Sequence, residues 1–172
     1  PYTEETMCGF EYAAAGLLLS EGYEEECLQV VEAIRDRYDG KKRNPYGEIE
    51  CGASYARSLA SYALLLLYSG FRYDMSRGEI GFAPLHREEG YSSFWSLDGA
   101  WGKISYTNGS YLFSVLYGEI TLRRFFLPER IGRVMREGEI LPFAAEGEVL
   151  LFRDPCRVEA GQTLLFFRDD AA

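Results

Sequence analysis

The hydrophobic period changes part-way along the chain, and that change limits the fold more than any other feature. Up to about Gly70 the apolar residues recur at helical spacing, and beyond it they alternate. Cys27, Val30, Val31, Ile34 and Tyr38 follow the i, i+3, i+4, i+7 pattern, opposite Glu25, Glu32, Arg35 and Asp36. Further on, Ile104 and Tyr106 alternate up to Asn108-Gly109, and Tyr111, Phe113 and Val115 alternate after it. Asn-Gly supplies the two positive φ values of a type I′ hairpin turn. The fold class expected is α+β, with residues 1–76 helical and residues 77–172 an antiparallel, sandwich-like β unit.

Three helices are expected: Glu5–Leu19, Tyr23–Tyr38 and Ala53–Tyr68. Gly22 and Asp39-Gly40 mark the ends of the first two, and the short link makes them an antiparallel hairpin. The first helix is apolar nearly all round, with Met7, Ala14, Leu17 and Leu18 on one side and Phe10, Ala13 and Leu19 on others. The third carries Tyr55, Leu59, Tyr62 and Leu66 on one face and Ala56, Ala60, Leu64 and Leu65 around it. Helices of that kind are expected to be buried in a larger helical assembly. A buried, an amphipathic and a buried helix in succession suit an α/α toroid. Three helices cannot close one, and the chain opens at Pro1, so a piece of a longer protein is expected.

In the β unit, Tyr117-Gly118-Glu119 reads as a turn before a strand carrying Ile120, Leu122, Arg124 and Phe126. Further strands are expected near Ile131–Met135, Ile140–Phe143, Val149–Phe152 and Thr163–Phe167. The 13 Tyr and 11 Phe are expected to fill the inner faces of these strands.

Composition removes several classes. The formal net charge of −9 argues against a nucleic-acid partner. No stretch of about 18 apolar residues is present, so no membrane-spanning helix is expected. Cys8, Cys27, Cys51 and Cys156 form no CxxC or Cys/His cluster, and His86 is the single histidine. Neither a metal nor any other cofactor is therefore expected. Cys27 on an apolar helix face reads as a buried thiol, compatible with a reducing, cytoplasmic setting. P-loop, GxGxxG and HExxH motifs are absent.

Two constellations remain. Trp95 and Trp101 flank Leu97-Asp98-Gly99-Ala100, placed either to pack in the core or to stack on sugar rings. The loop Asn44-Pro45-Tyr46-Gly47-Glu48-Ile49-Glu50-Cys51-Gly52 runs into a helix whose first turn holds Arg57. An arginine in apolar surroundings needs an acidic partner or a polar ligand. Glu48 or Glu50 with Arg57 is either an internal clamp or a pair that binds adjacent sugar hydroxyls, the carboxylate accepting and the guanidinium donating.

The stretch Glu5-Thr6-Met7-Cys8-Gly9-Phe10-Glu11-Tyr12, the helix text Val31–Tyr38 and the loop Lys42–Gly52 resemble glycoside hydrolase family 116. The resemblance continues through Tyr55-Ala56-Arg57 to Ser69-Gly70-Phe71 and Ile80-Gly81-Phe82-Ala83-Pro84. It covers about half of the chain, and residues 85–172 look like the C-terminal β extension of bacterial relatives. The family holds β-glucosidases, β-xylosidases and the non-lysosomal glucosylceramidase, on a β-sandwich domain followed by an (α/α)6 catalytic domain.

The resemblance implies that residues 1–76 are the last barrel helices of a retaining β-glycoside hydrolase. Its catalytic carboxylates would lie upstream, in the missing N-terminal part of the same chain. It implies that Glu48 and Arg57 hold the sugar hydroxyls and that Glu5 lines the same pocket. Met7 stands where the family has tryptophan, Tyr46-Gly47 where it has an aromatic-Asn pair, and Ala53-Ser54 where it has Asp-His. These departures leave the sugar open. Two other readings remain: a non-catalytic β module that binds carbohydrate or is structural, and another (α/α)6 hydrolase of rhamnosidase-like kind.

Overall fold

A computed structural model describes residues 6–47 and 57–169, with Arg57 described by its backbone alone. The chain divides into two compact units, Pro1–Leu67 and Tyr68–Ala172. The architecture is α+β, three α-helices followed by a large, mostly antiparallel sheet.

The first unit is built on α1 (Cys8–Ser20) and α2 (Glu24–Arg37). Between them Gly22, at φ +86°, closes α1. Tyr23 N–H donates to Leu18 C=O and Gly22 N–H to Leu19 C=O, which satisfies carbonyls the helix end would otherwise orphan. The α2 stripe predicted from spacing is the one that packs. Ile34 and Tyr38 join Cys8 and Tyr12 of α1 in one cluster, with Val30 and Val31 against it. The Cys8 thiol meets the Tyr38 hydroxyl, and Arg37 pairs with Glu11. The start of α1 thus lies beside the end of α2, and the two helices are antiparallel.

The other two helices differ from expectation. The inner face of α1 is Cys8, Tyr12, Ala15 and Leu19, while Phe10, Ala14 and Leu17 are exposed. The third helix is a 3-10 turn over Arg57–Ser61 followed by α3 (Tyr62–Ser69). Ala60 and Leu64 pack on the cluster, whereas Leu59, Tyr62 and Leu65 are exposed. Each helix meets a partner along one face only, so apolar character all round does not bury it here.

The second unit takes up the chain from Tyr68. Its strands are β1 (Arg72–Asp74), β2 (Glu79–Gly81), β3 (Ser92–Ser96), β4 (Ala100–Thr107) and β5 (Ser110–Phe126). They are followed by β6 (Ile131–Arg136), β7 (Glu139–Leu141), β8 (Phe143–Glu146), β9 (Val149–Glu159) and β10 (Thr163–Arg168). The β4–β5 hairpin turns on Asn108 (φ +49°) and Gly109 (φ +73°), both in the left-handed region as the Asn-Gly signal required.

The turn expected at Tyr117-Gly118-Glu119 is not a turn. β5 runs through it for 17 residues. Its first half pairs with β4 and β10, and its second half with β9 and, in parallel, with β2. Gly118, at φ +72°, marks the place where the strand passes from one half to the other. The sheet therefore folds over itself, β3-β4-β5-β10-β6-β7 facing β1-β2-β5-β9-β8. Phe113 and Phe166 from the first half lie 5.3 Å and 4.3 Å, centroid to centroid, from Phe125 of the second. The aromatic excess fills this sandwich-like core, as the alternation implied. No described helix is long and apolar enough to cross a membrane.

Candidate functional site

Glu5 and Glu48 lie outside the described residues, and so do Glu50 and residues 53–56. Arg57 opens the 3-10 turn, and its side chain is likewise outside the description. What the structure does describe is the approach to these positions.

The loop after α2 is ordered by its own side chains. The Asp39 carboxylate accepts from the backbone N–H of Lys41 at 2.9 Å and of Lys42 at 2.8 Å. Those bonds, the one from Lys42 first, hold the Asp39 pKa below the ordinary carboxylate value. Lys42 in turn pairs with Asp36 at 2.5 Å. The Asn44 side-chain oxygen accepts from Tyr46 N–H at 3.0 Å, and Gly47 N–H closes the turn onto Asn44 C=O at 3.1 Å. Arg35 on α2 donates to Pro45 C=O at 3.3 Å. The Asn-Pro-Tyr-Gly text is thus a turn pinned to the last part of α2.

A groove of about 560 Å³ opens beside that turn. Tyr12 of α1, Val31 and Arg35 of α2, Tyr46 of the loop, and Ser58 and Tyr62 of the third helical segment line it, with others. Tyr46 is almost fully exposed. The walls offer aromatic and aliphatic surface with a guanidinium, phenols and hydroxyls, a mixture suited to a polar molecule with apolar faces. At the end of α2, burial lowers the Arg37 pKa, but its bonds to Glu11 and Cys8 outweigh burial and leave it above the ordinary value.

The two tryptophans separate. Trp95 is fully buried and stacks on Phe113 at 4.8 Å, so it belongs to the core. Trp101 is 47% exposed and stacks on Tyr117, which is 62% exposed. Tyr117 escaped the sequence reading because it had been placed in a turn. His86 lies in a loop, with its ring 6.3 Å from that of Tyr68.

A further cluster had no sequence signal. Glu129, between β5 and β6, is 12% exposed and pairs with Arg87 and, at 2.8 Å, with Arg168. Tyr111 donates to Glu129 at 3.3 Å, Arg87 donates to Tyr111 at 3.2 Å, and Arg168 donates to the Tyr106 hydroxyl at 3.3 Å. Burial pushes the Tyr111 phenol up, which keeps it a donor. One carboxylate meets two guanidiniums and a phenol, and the cluster ties the Arg87 loop, β4, β5, the β5–β6 link and β10 together. Among the described residues no group of His, Cys, Asp or Glu side chains is placed to hold a metal ion.

No family model matches the chain, and no curated protein matches it. Among solved structures it is similar to Ara127N, a GH127 β-L-arabinofuranosidase from Geobacillus stearothermophilus T6. The identity is 18%, the TM-score 0.40, and the match covers 76% of this chain and 22% of that one. The chain thus spans about a fifth of that enzyme's length. A likeness at this level assigns no role to any residue here.

Proposed function

We propose that the chain is part of a retaining glycoside hydrolase related to family 116 and acting on β-glycosides. The observation that carries this reading is the string from Asn44 to Arg57, with its Asn-Pro, Glu-Ile-Glu-Cys-Gly and Tyr-Ala-Arg elements in register. The pinned turn before Glu48 and the groove beside it support the same reading.

On this reading the helical unit recognises the sugar and leaves bond cleavage to residues elsewhere in the enzyme. The Glu48 carboxylate accepts hydrogen bonds from sugar hydroxyls, the Arg57 guanidinium donates to their oxygens, and Glu5 adds a second acceptor. A nucleophilic carboxylate and an acid carboxyl outside this sequence form and then hydrolyse the glycosyl-enzyme. Hydroxyl contacts that tighten as the ring flattens toward the oxocarbenium ion lower the barrier as well as hold the substrate.

The test is steady-state kinetics of the full-length enzyme on a panel of aryl β-glycosides. Glu48→Gln and Arg57→Ala are each expected to lower kcat/KM by about 2–4 kcal/mol of transition-state binding, the range for losing a charged contact. Near-wild-type kinetics for both variants, or no hydrolysis of any β-glycoside by the wild type, would refute the reading.

A further inference from the structure

The first half of the sheet carries a surface that the core does not use. Ser96, Trp101 and Tyr117 are register neighbours on β3, β4 and β5, and all three are exposed. Trp101 and Tyr117 have ring planes 14° apart and centroids 6.1 Å apart. At a ring separation of roughly 3.5–4 Å that distance leaves a lateral offset of roughly 5 Å. Each ring therefore covers little of the other.

The placement is enforced by the backbone. The β4–β5 register slips between Trp101 and Gly102, so Trp101 lies opposite Tyr117 while Gly102 lies opposite Val115. A Cβ on Gly102 would sit 1.9 Å from Ser114 C=O, and one on Gly118 would sit 1.9 Å from Gly99 C=O. Two close backbone approaches that tolerate only glycine thus flank the pair. A bulge of this kind re-aims a side chain. The unpaired residue is Leu116 on β5, and the slip leaves both Leu116 and Tyr117 exposed, which brings Tyr117 beside the outward-facing Trp101 of β4.

The surroundings are those of a wet surface. Lys103 follows Trp101 on the same exposed face, and Ser96 stands at the end of the row. Next to the pair, between the segments just before Trp101 and just after Tyr117, a cleft of about 370 Å³ has apolar walls at Met75, Leu97 and Ile120 and polar groups at Asp98, Glu119 and Thr121. Arg157 pairs with Glu119 and holds it in place. The face is mixed: Phe94, opposite Lys103, and Leu116, beside Tyr117, are exposed too. A lysine, two carboxylates and hydroxyls lie among these apolar groups, which suits a ligand with both apolar and polar faces better than a purely apolar protein surface. A saccharide suits it, because a pyranose ring has one apolar C–H face and a rim of hydroxyls.

From this we infer that the Trp101–Tyr117 row is a binding platform for an extended oligosaccharide. Two sugar rings rest on the two aromatic faces, and their hydroxyls reach the carboxylates, Ser96 and Lys103. The exposure of both rings, side by side on neighbouring strands, favours a chain laid across them over a single sugar. The inference uses only the β unit. Its failure leaves the reading of Glu48 and Arg57 intact, and the converse holds.

The experiment titrates the whole 172-residue chain with cellohexaose, xylohexaose or mannohexaose and follows tryptophan emission, with calorimetry in parallel. Trp95 is buried and supplies a constant background, so a change reports Trp101. A saturable blue shift is expected with at least one hexasaccharide, and binding of its monosaccharide about tenfold or more weaker. By calorimetry, Trp101→Ala and Tyr117→Ala each weaken binding about tenfold or more, as for anchor residues of an interface. Trp101→Phe keeps a ring and most of the affinity, and Ile140→Ala, an exposed apolar residue on β7, changes nothing. Unchanged near-ultraviolet dichroism shows that the variants are folded. The proposal is overturned if no hexasaccharide binds, if both alanine variants bind as the wild type does, or if sedimentation shows a dimer that Trp101→Ala dissolves.

Discussion

Glu129→Ala is expected to unlock one end of the β unit. The carboxylate is 12% exposed and takes three interactions, from Arg87, Arg168 and Tyr111. A hydrogen bond to a charged group contributes about 1.5–3 kcal/mol where both partners are dry. Here the arginines are 32% and 45% exposed, so each can turn to water once the carboxylate is gone, which reduces the loss. Breaking a fully buried pair costs about 3–5 kcal/mol and sets the ceiling. The expected loss is about 2–3 kcal/mol. With a urea m-value of about 1–3 kcal/mol per molar, the midpoint falls by about 0.7–3 M. Tryptophan emission is the readout, because Trp95 is packed on Phe113 inside this unit. Glu129→Gln retains the shape and one acceptor and is expected to lose about half as much. Removing all three charges as Glu129→Leu, Arg87→Met and Arg168→Met is expected to recover stability relative to Glu129→Ala, because no uncompensated guanidinium then remains. A loss under about 0.5 kcal/mol for Glu129→Ala, or a triple variant weaker than the single one, would refute this account.

Two further outcomes follow from the hairpin around Asn108. Glu89 accepts from the Thr107 hydroxyl at 2.5 Å and from Asn108 N–H at 2.9 Å, and these bonds, the hydroxyl first, hold its pKa below the ordinary value. A depressed carboxylate stabilises the fold above its unfolded pKa and ceases to do so as the pH falls through its folded one. The difference in Tm between wild type and Glu89→Gln is therefore expected in full at pH 7 and should shrink as the pH falls below the ordinary glutamate value of about 4.3; a constant difference would contradict it. Gly118→Ala meets both a left-handed φ and the Gly99 carbonyl and is expected to cost about 3 kcal/mol or more, whereas Gly109→Ala meets only the φ and costs about 1 kcal/mol. Equal midpoints for these two variants in urea would show that the close approach at Gly118 does not constrain the strand.

How much of this was legible depended on how local the cause was. The Asn108-Gly109 hairpin, the α2 stripe and the end of α1 at Gly22 are set within a few residues, and the text shows them. The same local rule failed at Gly118, because a positive-φ glycine serves a strand crossing between sheet halves as well as a turn. Strands β1 and β2, three residues each, are too short to show a period. The buried face of α1 was not legible either. A helix with apolar residues on every side leaves the choice to its partner, and α2 chose Cys8, Tyr12, Ala15 and Leu19. For the candidate site, the turn at Asn44 and Tyr46 was readable, while Arg35 on Pro45 depends on the register between helix and loop. Glu129 was invisible because its partners stand at positions 87, 111 and 168, joined only by the topology of the strands.

The two clusters of large polar and aromatic side chains in the β unit are distinguished by what they leave unsatisfied. Around Glu129, carboxylate meets guanidinium, guanidinium meets phenol, and Arg87 also lies 5.0 Å over the Tyr106 ring. A ligand would compete there with contacts the chain already makes, although the buried Glu129 Oε2 has its ion pair with Arg168 and no hydrogen bond. At Trp101 and Tyr117 the reverse holds. The backbone accepts two glycine-only contacts beside the two rings, yet about half of the Trp101 surface and more of Tyr117 remain in water. Burial of those faces against a C–H surface would gain the apolar area that folding left exposed. A structural role requires closure of the interactions within the chain, and a binding role requires that some be left open. By that criterion the Glu129 cluster holds the fold, and the Trp101–Tyr117 row is the part of the β unit built to meet something outside it.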